Sequence, residues 1–287
     1  VTGQDGSYLA EQLLADGHGV FGMVRRNNAT SSARLVSGDL LDQESLETAL
    51  RTTKPDVVYN LAAVTSPGGR WGTPQPPLLA EVSGVGVVRL LDAMVREAPN
   101  ARLVHASSSA VFEPNRYGLY GSAKVLAHDA LVGYRGVLHC SNAVLFSHTS
   151  PRQDPRFLAR RICSTIARIA AGSGERLVLG DVRSRRDWGY APDYMRALQR
   201  IGEQDEPGDW IVCTRTQHSV RDLTEAALRA VGLSWFDAVD VDPAAPKILD
   251  EIAPSRIAWD GNGFAQDLDW SPETGLEEMI ELMTRGN

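Results

Sequence analysis

The stretch that decides the fold opens the chain: VTGQDGSYLAEQLL, Val1–Leu14. Gly3 and Gly6 stand three apart, directly before a helical pattern whose apolar face is Leu9, Leu13 and Leu14. Glycine lets a backbone approach a pyrophosphate closely, and a helix N-terminus adds aligned N–H donors and a partial positive charge. Thr2, Gly3, Asp5 and Gly6 thus read as the phosphate-facing part of a dinucleotide loop. A plain helix start carries the same glycines, so the rest of the chain must decide between the two. A buried strand normally delivers the chain to such a loop. The expectation is that this first strand, with the first glycine, lies upstream of Val1.

Working outward, apolar runs alternate with helical patterns. GHGVFGMV, DVVYNLAA, ARLVHASS and GVLHCSNAVLF read as buried strands of a parallel sheet. Ser7 to Ala15, Gln43 to Arg51, Leu79 to Glu97 and Tyr120 to Tyr134 read as helices between them. The alternation predicts a doubly wound parallel α/β sheet with right-handed crossovers. After Phe146 the rhythm changes: a Pro/Arg-containing link, a helix from Phe157 to Ala171, the short strand RLVLG, then shorter mixed pieces. The expected division is a dinucleotide-binding domain over 1–147 and a smaller substrate domain over 148–287, with some of its segments returning to the first sheet.

The ends of the early strands carry the cofactor reading. GVFGMVRR ends in Arg25-Arg26, where such a fold reads the ribose. An acid there selects NAD, whereas arginines favour the 2′-phosphate of NADP. NADP is therefore expected, with NAD as the alternative. Asp39 and Leu40, in GDLLD, stand where an adenine ring is met. Leu61, Ala62 and Ala63, in NLAA, are small enough to let a cofactor lie across the sheet edge.

The catalytic signal is YGSAK, which puts Tyr120 and Lys124 on one helical face. An ammonium beside a phenol lowers the phenol's pKa, so the tyrosine can exchange protons with a sugar hydroxyl near neutral pH. The preceding strand end, ASSSAVF, offers Ser107, Ser108 and Ser109 to complete a Ser–Tyr–Lys triad.

Bulk composition narrows the partners. The chain has 287 residues, 43% hydrophobic and 23% charged, with net charge -7, which argues against a general nucleic-acid or membrane-surface binder. The basic run Arg183 to Arg186 suits a small anion. Cys140, Cys163 and Cys213 are scattered without metal-ligand spacing, so no metal site is expected and a reducing cytoplasm is. No apolar run reaches the ~18 residues of a membrane span.

Taken together, TGQDGSYLAE, VRR, NLAA, YGSAKVLAH, LFSHTSPR, RRDWGYAPDY and HSVRDL resemble the extended short-chain dehydrogenase/reductases, closest to the GDP-mannose 4,6-dehydratases. The resemblance implies a Rossmann-like fold and an internal redox cycle on a nucleotide sugar or related nucleoside: oxidation at C4, elimination of water across C5–C6, return of the hydride to C6. It implies Tyr120 as the base at the C4 hydroxyl, Lys124 as its partner and Ser108 as a hydroxyl anchor, with Ser109, Ser147, Arg152, Arg161 and Arg186 on the substrate side. It also implies a homodimer or tetramer built on the Leu79–Glu97 and Tyr120–Tyr134 helices.

Departures matter equally. The family's elimination glutamate is Ala110 here, and Glu113 is the first candidate to replace it. The asparagine of the family's LFNHESP is Ser147, and DEIAPSRIAWD stands roughly where a nucleotide-gripping motif belongs. A dehydratase with altered substrate contacts is the first reading, and ordinary GDP-mannose is expected to be a poor substrate. A 4-epimerase or 4-keto-reductase is the alternative. A non-catalytic NADP-binding protein ranks third, because Tyr120 and Lys124 are both retained.

Overall fold

The computed structural model describes residues 1–25, 31–64, 76–244, 250–257 and 268–286. Its first half alternates as expected: α1 (Gln4–Ala15), β1 (Phe21–Val24), β2 (Arg34–Ser37), α2 (Gln43–Thr53) and β3 (Val57–Asn60). Next come α3 (Pro76–Ala80), a π-turn (Glu81–Val85), α4 (Gly86–Glu97), β4 (Arg102–Ala106), α5 (Gly118–Tyr134) and β5 (Cys140–Leu145). The second half contains β6 (His148–Thr149), α6 (Leu158–Ala170), β7 (Leu177–Leu179), β8 (Arg185–Asp187), β9 (Gly189–Tyr190) and α7 (Ala191–Glu203). It closes with β10 (Asp209–Val212), β11 (Gln217–Ser219), α8 (Val220–Val231), α9 (Trp235–Ala238), β12 (Val239–Val241) and α10 (Leu276–Arg285).

Four strands form one parallel sheet in the order β10-β5-β4-β3, and β1 pairs in parallel with β2. Val1 lies against both β1 and α1. A Cβ at Gly22 would stand 2.5 Å from a Val1 methyl, and one at Gly6 would stand 2.7 Å from the Val1 nitrogen. Strand β5 is buried at every position, as a strand covered on both faces must be.

One core packs α2, α4 and α5 against the sheet, through Leu46, Leu91, Met94, Leu103 and Leu131. A second packs α1 and α7 on the sheet with Leu9, Val104, Tyr194, Leu198 and Trp210. Thus α7 and β10, from the second half, join the first sheet. A third core stands apart, with Ile162, Ile166, Leu179, Leu223, Ala227 and Met279 binding α6, β7, α8 and α10 together. Helix α8 is fixed at its start by a capping box, in which Ser219 and Asp222 each satisfy the other's backbone N–H.

The span from Leu79 to Glu97 is not one uniform helix. At the π-turn, Ser83 Oγ bonds to the N–H (2.9 Å) and C=O (3.3 Å) of Val64, holding the chain beyond β3. A Cβ at Gly84 would stand 3.1 Å from Leu126 and 3.4 Å from the Ala123 carbonyl, so α5 passes close.

Candidate active site

Most of the expected cofactor residues follow β1, β2 and β3 or open α1, on the strand-end side where open α/β sheets bind ligands. At the start of α1, Gly3 is extended (φ -89°, ψ 175°), and no side chain caps the helix. A Cβ at Gly3 would meet nothing within 4 Å. This terminus therefore has N–H donors, a favourable dipole and room, and it fits a dinucleotide diphosphate. Thr2 and Gly3 are exposed, and Gly6 is buried beneath them.

The Asp5 carboxylate is otherwise engaged. It accepts from Gln4 Nε2 at 2.8 Å and faces His148 Nε2 at 3.1 Å, while His148 Nδ1 meets the Phe146 carbonyl at 2.8 Å. A carbonyl and a carboxylate on either side of an imidazole both favour its protonated form. Burial works against both charges, yet the attraction lowers the Asp5 pKa and raises that of His148. With its carboxylate so engaged, Asp5 has its main-chain N–H left at the open helix start.

Arg25 is exposed directly after β1; Arg26 lies outside the described residues. Asp39 Oδ1 accepts from the Leu41 N–H at 3.0 Å, and Leu40 is buried. After β3, Asn60 Oδ1 accepts from the Ala62 N–H at 3.2 Å, which fixes the turn through Leu61, Ala62 and Ala63.

Beyond β4, extended Ser108 caps a short 3-10 turn (Ser109–Phe112), its Oγ accepting from the Ala110 N–H at 3.2 Å. Tyr120 and Lys124 come from the next helix. Gly121 lets the turn Pro114–Arg116 seat on that helix, since a Cβ there would fall 2.4 Å from the Pro114 carbonyl. Lys124 Nζ donates to the Ala106 carbonyl at 2.7 Å and stands 6.0 Å from the centre of the Tyr120 ring. Burial brings the Lys124 ammonium down to about 8.

The expectation that Lys124 lowers the Tyr120 pKa is not met in this geometry. Burial raises it, a hydrogen bond from Ser108 opposes the rise, and the Glu251 charge adds to it. The lysine lies over the ring and bonds to the Ala106 carbonyl, so burial prevails.

Glu251 is the residue that sequence reasoning missed. Its Oε1 accepts from Ser109 Oγ (2.7 Å), the Ser147 N–H (3.0 Å) and Ser147 Oγ (3.2 Å), and its Oε2 accepts from the Asp187 N–H (3.1 Å). Burial pushes its pKa to about 7, and that of Asp187 to about 6. The only signal in the sequence was its place in DEIAPSRIAWD. Ser109 and Ser147, both expected on the substrate side, thus converge on one carboxyl group. Glu113 instead pairs with Arg116 at 3.3 Å.

The three arginines separate. Arg186, on β8, lies within reach of the Glu251 charge, and its buried Nε has no hydrogen-bond partner among the described residues. Arg152 bonds to Glu11 (2.9 Å) and Ser7 (3.0 Å) and lies 4.0 Å above the Tyr8 ring. Arg161 is exposed on α6. Among the described residues no group of three or more His, Cys, Asp or Glu side chains could hold a metal, and all three cysteines are free and buried.

The family model for GDP-mannose 4,6 dehydratase matches residues 1–283. The chain belongs to the GDP-mannose 4,6-dehydratase family. GDP-mannose 4,6 dehydratase 1 of Arabidopsis thaliana is 32% identical over 317 residues, spanning 99% of this chain and 86% of that protein. Two solved structures share the fold. The Thermus thermophilus UDP-glucose 4-epimerase complex with NAD has TM-score 0.78 and 23% identity, over 99% of this chain and 96% of that one. RMD from Pseudomonas aeruginosa, complexed with NADPH, has TM-score 0.75 and 19% identity, over 99% and 95% respectively. The fold is thus that of the Rossmann-like short-chain dehydrogenase/reductases. Within the GDP-mannose 4,6-dehydratase family, this member places Ala110, buried to 1% exposure, beside the Ser109–Glu251 contact.

Proposed function

We propose that this protein is a nicotinamide-dependent dehydratase of a nucleotide sugar or related nucleoside, working by transient oxidation, loss of water and return of the hydride. The observation that carries this reading is the packing of Ser108, Tyr120 and Lys124 at the end of β4, in a chain of this family. When bound, a nicotinamide dinucleotide supplies a reversible hydride acceptor. Thr2, Gly3, the Asp5 main chain and Gly6 would hold its diphosphate. Asp39, Leu40 and Leu61 to Ala63 would hold the adenosine half. Arg25 favours NADP over NAD.

The chain's own residues divide the remaining work. Tyr120 accepts the proton of the C4 hydroxyl as C4 is oxidised and returns it on reduction. Ser108, beside the phenol, anchors that hydroxyl. Lys124, tied to Ala106, fixes the face on which this happens. Residues 1–147 hold the cofactor and residues 148–287 most of the sugar nucleotide, with Ser109, Ser147 and Arg186 nearest the catalytic groups and Arg152 and Arg161 further out. A soluble cytoplasmic homodimer or tetramer fits the three free thiols and the paired α4 and α5 helices; no described helix is long and apolar enough to cross a membrane.

The test is incubation with NADP and, in turn, GDP-mannose, UDP-glucose and dTDP-glucose, followed by mass spectrometry. A product lighter by one water supports the reading. Ala110 favours a second reading, a 4-epimerase or 4-keto-reductase. A chromatographically distinct product of unchanged mass would select the epimerase, and a gain of two hydrogens by a 4-keto nucleotide sugar supplied with NADPH would select the reductase.

A further inference from the structure

Ala110 leaves the elimination without the carboxylate that its chemistry requires, yet the same turn holds a carboxylate by another route. Ser109, adjacent to Ala110, donates to Glu251 Oε1 at 2.7 Å, and Glu251 is only 7% exposed. The Glu251 main chain is fixed by its N–H to the Arg185 carbonyl (3.0 Å) and by Gln217 Nε2 to its own carbonyl (2.9 Å). The side chain therefore cannot wander. Its charge bears on Tyr120, Tyr117, Tyr194 and His148, and its carboxylate bonds to Ser109, the neighbour of both Ser108 and Ala110. The charged or titratable groups facing it are Asp187, Arg186, Tyr117, Tyr120, Tyr194, His148 and Cys213.

We propose that Glu251, working through the Ser109 hydroxyl, is the proton-exchanging group of the elimination in place of the side chain missing at Ala110. The proposal rests on the dehydratase reading. In the step, Ser109 Oγ takes the C5 proton as its own proton passes to Glu251. The C5–H electron pair forms the C5–C6 double bond, and the C6–O bond breaks. The same proton then returns through Ser109 to the departing oxygen, which leaves as water. Glu251 ends as the carboxylate it began as, and the step needs no oxidant. A group with pKa about 7 both accepts and releases a proton near neutral pH. By this assignment Ser109 touches the substrate, and Glu251 is a positioning residue behind it.

Two variants separate proton exchange from mere bracing. Glu251→Gln keeps the acceptor for Ser109 and Ser147, and Ser109→Ala keeps Glu251 and its Ser147 bonds. With whichever of GDP-mannose, UDP-glucose or dTDP-glucose loses water on the wild-type enzyme, both variants should still oxidise the sugar, seen as reduced cofactor by absorbance. Both should lose water ~10²-fold more slowly or worse. The wild-type water-loss rate should bend near neutral pH, Glu251→Gln should lose that bend, and Glu251→Asp should recover part of the rate. Water loss at the wild-type rate in either variant, or an unchanged pH profile in Glu251→Gln, overturns the proposal while leaving the dehydratase reading intact. A wild-type enzyme that removes water from none of the three sugars refutes that reading and this proposal with it.

Discussion

Lys124 reaches past Tyr120: its Nζ bonds to the Ala106 carbonyl at 2.7 Å while standing 6.0 Å from the centre of the phenol ring. The lysine thus fixes β4 to α5 and sets where the phenol sits relative to Ser108. Tyr120→Phe should leave cofactor binding intact and cut turnover by ~10²-fold or more, as removal of a positioned acid–base group does. Lys124→Ala should do similar damage and also soften the site, because it removes the bond that ties α5 to the half-buried Ala106 carbonyl. Cofactor titration beside steady-state rates checks both. A Tyr120→Phe variant near wild-type rate would dismiss the triad.

Arg25 is predicted to set the cofactor preference. Arg25→Ala should weaken NADP binding relative to NAD, since a guanidinium facing a 2′-phosphate gives a charge-assisted bond that NAD cannot. Calorimetric titration of both dinucleotides against both proteins reads the ratio. An unchanged ratio removes Arg25 from the ribose site.

Glu251 makes stability depend on pH in a specific direction. Its folded pKa, raised to about 7 from 4.5, means that the folded protein holds this proton more tightly than the unfolded chain. Its contribution is fully present below about 4.5 and is lost as pH rises through about 7, a swing on the order of 3 kcal/mol. Asp187, raised to about 6, adds to the same slope. Wild type should therefore lose stability relative to Glu251→Gln between those pH values. Denaturant midpoints measured across that range test it, and parallel curves would contradict it.

The exposed apolar side chains of α4 and α5, Val95, Leu119, Leu126 and Val132, are predicted to lie in a subunit interface. Leu126→Glu should yield monomers by light scattering at micromolar concentration. A wild-type monomer under those conditions would dispose of the assembly.

Much of this was legible in the sequence because its signals were local. Gly3 caps α1 and Gly6 lies in its first turns, both legible from spacing, and Tyr120 with Lys124 needs only the pitch of a helix. Glu251 was hidden for the opposite reason. It lies 142 positions from Ser109, and its importance comes from burial and four donated bonds that no period encodes. The π-turn inside the expected Leu79–Glu97 helix was hidden similarly. Ser83 answers Val64 and Gly84 answers Leu126, both tertiary demands. Burial of the Tyr120 phenol likewise outweighs the simple rule that an i+4 lysine lowers a tyrosine's pKa.

Elimination with return of the hydride is tested most directly by running the reaction in heavy water with the nucleotide sugar that the enzyme turns over. The predicted product has lost one water and carries solvent deuterium at the carbon beside the oxidised centre. A product of unchanged composition with no deuterium on carbon would contradict that chemistry and establish simple epimerisation instead.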